Sequence, residues 1–271
     1  MIRRQYFILY VNSKKGEAEM GIKKGQYITN TEGKKYKLLE DAVEKKNFDD
    51  FQIYIIKGIL DEDKRQKYFL KYFYKVGEIV SKNLKRESEF CFHYPYIEHV
   101  LDEFDAQDPE KNIIHCVLLE YIEGDNLGKY REQQWERVEK GERKEEEFER
   151  EMFQQMMQLL YGVNYYVNCT WKDPFLHRDL NPNNIMITKE GKAVIVDFDN
   201  AHISGSKDTI PVGNCKLGGT KGYLDPYILS EKSSKKTNVQ SEIYSIGRIF
   251  FYWLNGCSYF KEEELIDWFY C

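Results

Sequence analysis

A chain of 271 residues is long enough for one large domain or two small lobes with cores of their own. Hydrophobic residues make up 42% and charged residues 31%, and an aromatic share of 15%, with 21 Tyr and 16 Phe, marks a filled interior rather than a disordered tail. The formal net charge of −5 calls for neither nucleic acid nor an anionic membrane as partner, and six cysteines without paired spacing argue against a zinc site or a disulfide framework.

In chain order, the basic opening Met1-Ile2-Arg3-Arg4 is followed by an apolar run too short for a signal peptide, and no stretch approaches membrane-spanning length. The expected compartment is a reducing cytoplasm. Residues 1–33 mix short apolar pieces with Lys and Gly and read as an N-terminal extension. Residues 36–39 and 51–57 (FQIYIIK) are β-rich, the second nearly all apolar and so predicted as a buried strand. Across residues 63–91, Phe69, Phe73, Val76, Val80 and Leu84 recur at three- and four-residue steps and predict a helix. The apolar run 113–119 leads into Glu120-Tyr121-Ile122-Glu123-Gly124, where Gly124 and Asp125-Asn126 predict a turn. Residues 129–150 are dense in Glu, Lys and Arg and read as a solvated helical insertion. Phe148, Met152, Met156, Leu159, Val163 and Val167 then predict an amphipathic helix, and Ile243, Ile246, Phe250 and Trp253 a second core helix. Strands early and helices late give an α+β chain, a β-rich lobe followed by a helical one.

Residues 177–199 hold the densest chemistry. Ile185-Met186-Ile187-Thr188 and Ala193-Val194-Ile195-Val196 are two β runs separated by Lys189-Glu190-Gly191-Lys192, a Gly-containing turn. Pairing across a four-residue turn sets 188 opposite 193 and 187 opposite 194. Asn184 then falls opposite Asp197 at the open end of the hairpin, with Cα atoms about 5 Å apart. A carboxylate and an amide oxygen so placed are hard ligands suited to Mg²⁺, which completes its shell with water and substrate phosphates. Asp179, just upstream of Asn184, is another carboxylate, able to orient a nucleophile.

His177-Arg178-Asp179-Leu180-Asn181-Pro182-Asn183-Asn184-Ile185 resembles the catalytic loop of eukaryotic-type protein kinases, and Asp197-Phe198-Asp199 the DFG metal-binding triplet of that family. Gly219-Thr220-Lys221-Gly222-Tyr223 with Asp225-Pro226 is similar to the end of an activation segment, and Ser241-Glu242-Ile243-Tyr244-Ser245-Ile246-Gly247 to the helix that follows it. Val117-Leu118-Leu119-Glu120-Tyr121-Ile122-Glu123-Gly124 looks like the hinge. The resemblance implies a two-lobed kinase-like fold: an extension at 1–33, a small lobe at 34–118, a hinge at 119–127, and a shortened large lobe at 128–271 carrying the insertion 129–150. It implies Mg·ATP-dependent phosphoryl transfer to a Ser/Thr hydroxyl of a protein substrate, with ATP and Mg²⁺ as cofactors. In that scheme Asp179 orients the hydroxyl proton, Asn181 stands beside the transferred phosphate, and Asn184 and Asp197 hold Mg²⁺. Leu119 is then the gatekeeper, and the backbone of Glu120 and Ile122 meets adenine. The resemblance also implies a Lys on a strand and a Glu on the helix after it. Lys57 ends the apolar strand, and helical phase turns Glu87 inward to meet it.

Four departures stand out. No glycine lies between Tyr36 and Lys57, where the family carries a phosphate-cradling glycine loop. Asn181 replaces the usual Lys, Asp199 the Gly of the metal-binding triplet, and Tyr227 the Glu expected after Asp225-Pro226. A rival reading is therefore a pseudokinase, a nucleotide- or partner-binding regulatory module; a second is a small-molecule kinase of similar fold. Retention of Asp179, Asn184, Asp197 and Lys57 favours an active protein kinase. Ser204, Ser206 and Thr209 fall in the activation segment, with Arg178 as a cation that would meet a phosphate there.

Overall fold

The computed structural model of the chain describes residues 22–47, 52–61, 65–74, 93–170, 173–203, 220, 222–226 and 237–256. Seven antiparallel strands come first: β1 (Tyr27–Asn30), β2 (Lys35–Leu38), β3 (Val43–Asn47), β4 (Gln52–Asp61), β5 (Gln66–Tyr74), β6 (Val100–Gln107) and β7 (Ile113–Glu120). They form one sheet in the order β2-β1-β6-β7-β5-β4-β3, and because β2 also pairs with β4 the sheet closes on itself. Period-two alternation fills its interior: Ile28, Tyr36, Leu38, Ile59, Leu70, Tyr72, Cys116 and Leu118 form one buried cluster. The intervening positions Lys71, Val117 and Leu119 are buried on the opposite face, with Lys71 directly across from Val117.

Two expectations are corrected here. Of the extension expected at 1–33, residues 22–33 belong to the sheet and its turn, with Ile22 and Ile28 in the core and the Ile22 N–H donating to Tyr72 Oη at 3.2 Å, and residues 1–21 lie outside the described residues. The turn that returns β1 onto β2 rests on Asn30 Oδ1, which accepts from the N–H groups of Glu32 and Lys34, and on Gly33 at φ +82°; a four-residue strand leaves little periodic signal. The helix expected over 63–91 is a strand from Gln66 to Tyr74. Phe69 and Phe73 share a face of a strand as readily as of a helix, and the deciding alternation is Tyr68, Leu70 and Tyr72, all buried. Residues 75–92, with Glu87, lie outside the described residues.

A second cluster organises the remaining described residues. The short strands β8 (Gly124–Asn126), β10 (Ile185–Thr188) and β11 (Ala193–Ile195) form a sheet in the order β11-β10-β8, and β9 (Phe175–Leu176) pairs with β12 (His202–Ile203). Around them pack three helices, α1 (Leu127–Glu139), α2 (Glu145–Val167) and α3 (Val239–Asn255). Phe148, Met152, Leu159, Val163 and Tyr166 of α2 meet Ile185 and Ile195 of the small sheet and Ile246, Ile249 and Trp253 of α3. The close approach of α2 needs Gly162, where a Cβ would sit 2.8 Å from Ile195 Cδ1 and 3.2 Å from the Tyr96 carbonyl oxygen.

The charged stretch 129–150 is therefore α1, a short connection and the start of α2. Its outward face is solvated, but Arg131 and Phe148 are buried, and Arg143 in the connection pairs with Glu151. α3 begins on a capping box between Asn238 and Ser241 and ends at Gly256, whose φ of 72° terminates it. Its buried face runs through Glu242, Ser245, Ile246, Ile249, Tyr252 and Trp253, whereas Ile243, expected inward, is 60% exposed. Among the described residues no helix is long and apolar enough to cross a membrane.

Candidate active site

The hairpin of β10 and β11 is displaced by one residue from the expected pairing. Ile185 faces Ile195, Met186 faces Val194 and Ile187 faces Ala193, because the turn takes only Lys189, Glu190 and Gly191, with Gly191 at φ +78°. Asn184 thus stands across from Val196, whose N–H donates to the Asn184 carbonyl at 3.0 Å, and Asp197 is the next residue beyond. Asp197 adopts the left-handed conformation (φ 69°, ψ 67°), and a 3₁₀ turn follows at Phe198–Asn200. A one-residue slip inverts which face a strand residue presents, but here both side chains lie past the paired residues.

The lysine beside Asp197 is Lys71. Its Nζ lies 3.2 Å from Asp197 Oδ1, and its side chain is 2% exposed. Lys57, the sequence candidate, is on β4, whose successor is another strand rather than a helix, and its side chain lies outside the described residues. Lys71 is on β5, the strand leading into residues 75–92. A lysine inside Tyr68-Phe69-Leu70-Lys71-Tyr72-Phe73 is the signal that the helical reading hid.

Four side chains converge on Asp179. Asn181 Nδ2 donates to its carbonyl at 2.9 Å and to Oδ1 at 3.1 Å. The Thr220 N–H and Oγ1 donate to Oδ1 at 2.9 and 2.8 Å, Asn200 Nδ2 approaches Oδ2 at 3.4 Å, and Asn184 Nδ2 donates to the Asp179 carbonyl at 2.9 Å. Beneath them, the fully buried His177 accepts the Asp179 N–H on Nδ1 at 3.3 Å, so Nε2 carries the proton and donates to the Val196 carbonyl at 3.0 Å. Arg178, at φ 66°, donates its N–H to Glu242 Oε1 at 2.8 Å and Nε to the Asn200 carbonyl at 2.7 Å. Glu242 Oε2 accepts from Tyr166 Oη at 2.6 Å; burial, then the Glu242 charge, pushes the Tyr166 phenol well above its ordinary range. The loop is thereby tied to α2 and α3, which fixes the direction of the Asp179 carboxylate.

At the end of β7, Leu119 is buried, and Glu120 is held in a reciprocal pair with His99: its N–H donates to the His99 carbonyl at 3.0 Å, and its Oε1 accepts the His99 N–H at 3.0 Å. Ile122 follows, half-buried, outside any strand. Residues 48–51, between β3 and β4 in sequence, and residues 204–219, which include Ser204, Ser206 and Thr209, lie outside the described residues.

The donors near Asp197 fit Mg²⁺. Asn184 commits Nδ2 to the Asp179 carbonyl, which directs its hard Oδ1 the other way, and Asp197 adds a carboxylate. Among the described residues no group of three or more His, Cys, Asp and Glu could hold a metal by itself. A cation here would complete its shell with water and phosphate oxygens, which is the habit of Mg²⁺.

Comparison with known proteins gives the same placement: residues 53–268 match the protein kinase domain model. The chain belongs to the protein kinase family. Membership carries the two-lobed kinase fold. The domain is similar, at 27% identity over 67% of its length, to serine/threonine-protein kinase 36 of Pongo abelii, and at 25% over 72% to a probable serine/threonine-protein kinase of Clostridium perfringens. It is 30% identical over 55% of its length to CBL-interacting serine/threonine-protein kinase 8 of Arabidopsis thaliana. The matched segments are 12%, 25% and 29% of those relatives, so this kinase domain corresponds to a minor part of each.

Proposed function

We propose that this kinase domain transfers the terminal phosphoryl group of ATP to a Ser or Thr hydroxyl of a protein, with Mg²⁺ as the bound cation, in the cytoplasm. The observation that carries the reading is the Asp179 carboxylate, held by Asn181, Asn200 and Thr220 in a loop that also carries Asn184, whose Nδ2 donates to the Asp179 carbonyl. Asp179 is the group that receives or orients the substrate hydroxyl proton as the hydroxyl oxygen forms its bond to phosphorus and ADP leaves. Asn181, 2% exposed, supplies a hydrogen-bond donor where the family carries a charged Lys, which implies slower turnover. Asn184 and Asp197 would hold Mg²⁺, which neutralises charge on the phosphates. Lys71 takes the phosphate-gripping role first considered for Lys57, and Glu87 is the carboxylate proposed to hold it. The backbone of Glu120 and Ile122 is the proposed adenine edge, with Leu119 behind it. Most of the rate enhancement in such a site comes from positioning and charge neutralisation.

A second reading is supported by the glycine-free stretch 36–57. It has no glycine to let the backbone approach phosphate and carries acidic residues in its sequence, and a domain that binds nucleotide or partner without catalysis is consistent with it. Incubation with labelled ATP and Mg²⁺ separates the two. Transfer of label to the protein itself or to a generic protein substrate supports the enzyme, and its absence alongside intact Mg·ATP binding supports the regulatory module.

A further inference from the structure

We infer that Glu98 is a positioning residue for Asp197: it pins the backbone of that residue and so sets how well the site holds a divalent cation. This rests on the assignment of Asp197 to the metal. Glu98 is a buried acid, 8% exposed, in a position the mechanism above does not use. Its Oε2 accepts the Asp197 N–H at 3.1 Å.

That N–H needs such a partner. The last hydrogen bond of the hairpin is from the Val196 N–H to the Asn184 carbonyl, and at Asp197 the chain swings into the left-handed region, away from β10. Left-handed backbone is disfavoured for a residue with a Cβ, and a charge-assisted hydrogen bond from the Asp197 N–H to the Glu98 carboxylate offsets that preference. Glu98 is itself held on both sides. The Ile195 N–H donates to the Tyr96 carbonyl at 2.9 Å and the Glu98 N–H to the Ile195 carbonyl at 2.8 Å, which runs 96–98 alongside β11. The next residue, His99, is locked to Glu120. One short segment therefore connects the end of β7 to the backbone of the metal-binding residue. Glu98 fixes the main chain of Asp197 while Lys71 meets its side chain, so neither ligand direction nor backbone state is left to fluctuate. Asp199, in place of the usual Gly, suits a segment built to stay in one conformation.

The test compares wild type with Glu98→Ala, Glu98→Asp, Glu98→Gln and Asp197→Asn in two measurements: hydrogen exchange of the Asp197 amide in the nucleotide-free protein, and Mn²⁺ binding followed by electron paramagnetic resonance with ADP present. Loss of a residue that orients a metal ligand weakens metal affinity by about 10–100-fold, so Glu98→Ala and the too-short Glu98→Asp should raise the Mn²⁺ half-saturation by about tenfold and speed exchange at Asp197. Glu98→Gln keeps the acceptor oxygen and should stay within about twofold of wild type in both, whereas Glu98→Met, made alongside, fills the same space without an acceptor and should behave as Glu98→Ala does, a split that a merely space-filling role would not show. Wild-type Mn²⁺ affinity in Glu98→Ala and Glu98→Asp, with Asp197→Asn impaired, overturns the role of Glu98 alone. Wild-type affinity in Asp197→Asn overturns the metal assignment and this inference with it.

Discussion

Replacing Lys71 with Met removes the cation beside Asp197 and keeps the length of the side chain. Its Nζ–Oδ1 separation of 3.2 Å corresponds to a Coulomb attraction of about 5 kcal/mol at an effective dielectric of about 20, most of which desolvation offsets in the intact pair. Removing one partner is costlier than the net worth of the pair, because the remaining charge stays desolvated; about 3–5 kcal/mol is usual for a buried pair. The Asp197 side chain is 14% exposed and keeps its neighbours, so the lower end, about 3 kcal/mol, is expected for Lys71→Met. For a chain of this size that is a fall in Tm of roughly 6–12 °C. Thermal unfolding of Lys71→Met, Asp197→Asn and the double variant should show coupling of at least about 1.5 kcal/mol, the double variant being more stable than the sum of the singles implies. Lys57→Met, on the neighbouring strand, should not couple to Asp197→Asn. A Tm within about 2 °C of wild type for Lys71→Met, with additive behaviour in the cycle, would refute the reasoning.

Three further outcomes follow from the fold. Asp61 is fully buried and 2.7 Å from Lys34, whose side chain is 28% exposed, so the two halves of the pair are unequal. Lys34→Met, which leaves the buried carboxylate without its lysine, should cost about 2–3 kcal/mol in urea denaturation, and Asp61→Asn, which frees Lys34 to turn to water, only about 1 kcal/mol; the reverse order would contradict this. The hydrogen bond to Asp61 holds Lys34 protonated beyond the ordinary lysine value of 10.5. A raised lysine contributes stability in full below its unfolded value, so the wild-type advantage over Lys34→Met should be level from neutral pH up to about 10 and shrink only above that. Gly124→Ala should be severe, about 3 kcal/mol or more, because the new Cβ would stand 2.0 Å from the Ile187 carbonyl oxygen across the β8–β10 pairing. A Tm unchanged within error would show that β8 can move aside.

Much of the helical half was legible because its signals are long: Phe148 to Val163 marks α2 by phase alone, and Ile246, Phe250 and Trp253 mark α3. The hairpin was legible as an element but not in register, because whether Lys192 belongs to the turn or the strand depends on the positive φ of Gly191, which a string of residues does not display. Of the first hairpin, β2 was legible as the β-rich run at 36–39, but β1 was missed because it is four residues long and owes its place to pairing with distant β6. Lys71 was missed for a related reason. Phe69 and Phe73 fit both periods, and only the burial of Tyr68, Leu70 and Tyr72 selects the strand that turns Lys71 towards Asp197. Asp179, Asn181 and Asn184 were legible because they lie within a few residues of each other, whereas Glu98 and Asn200 reach the site only through the tertiary fold.

The most direct test of the account is the separation of binding from transfer in Asp179→Asn and Asp197→Asn. Asp179 is assigned to the nucleophile and not to the cation, so Asp179→Asn should bind Mg·ATP nearly as wild type does and lose about 10²–10⁴-fold in phosphoryl transfer to a protein hydroxyl. Asp197→Asn should lose both. Equal transfer by wild type and Asp179→Asn would contradict the role given to Asp179. Transfer by neither, with Mg·ATP still bound, would put a regulatory module in place of the enzyme.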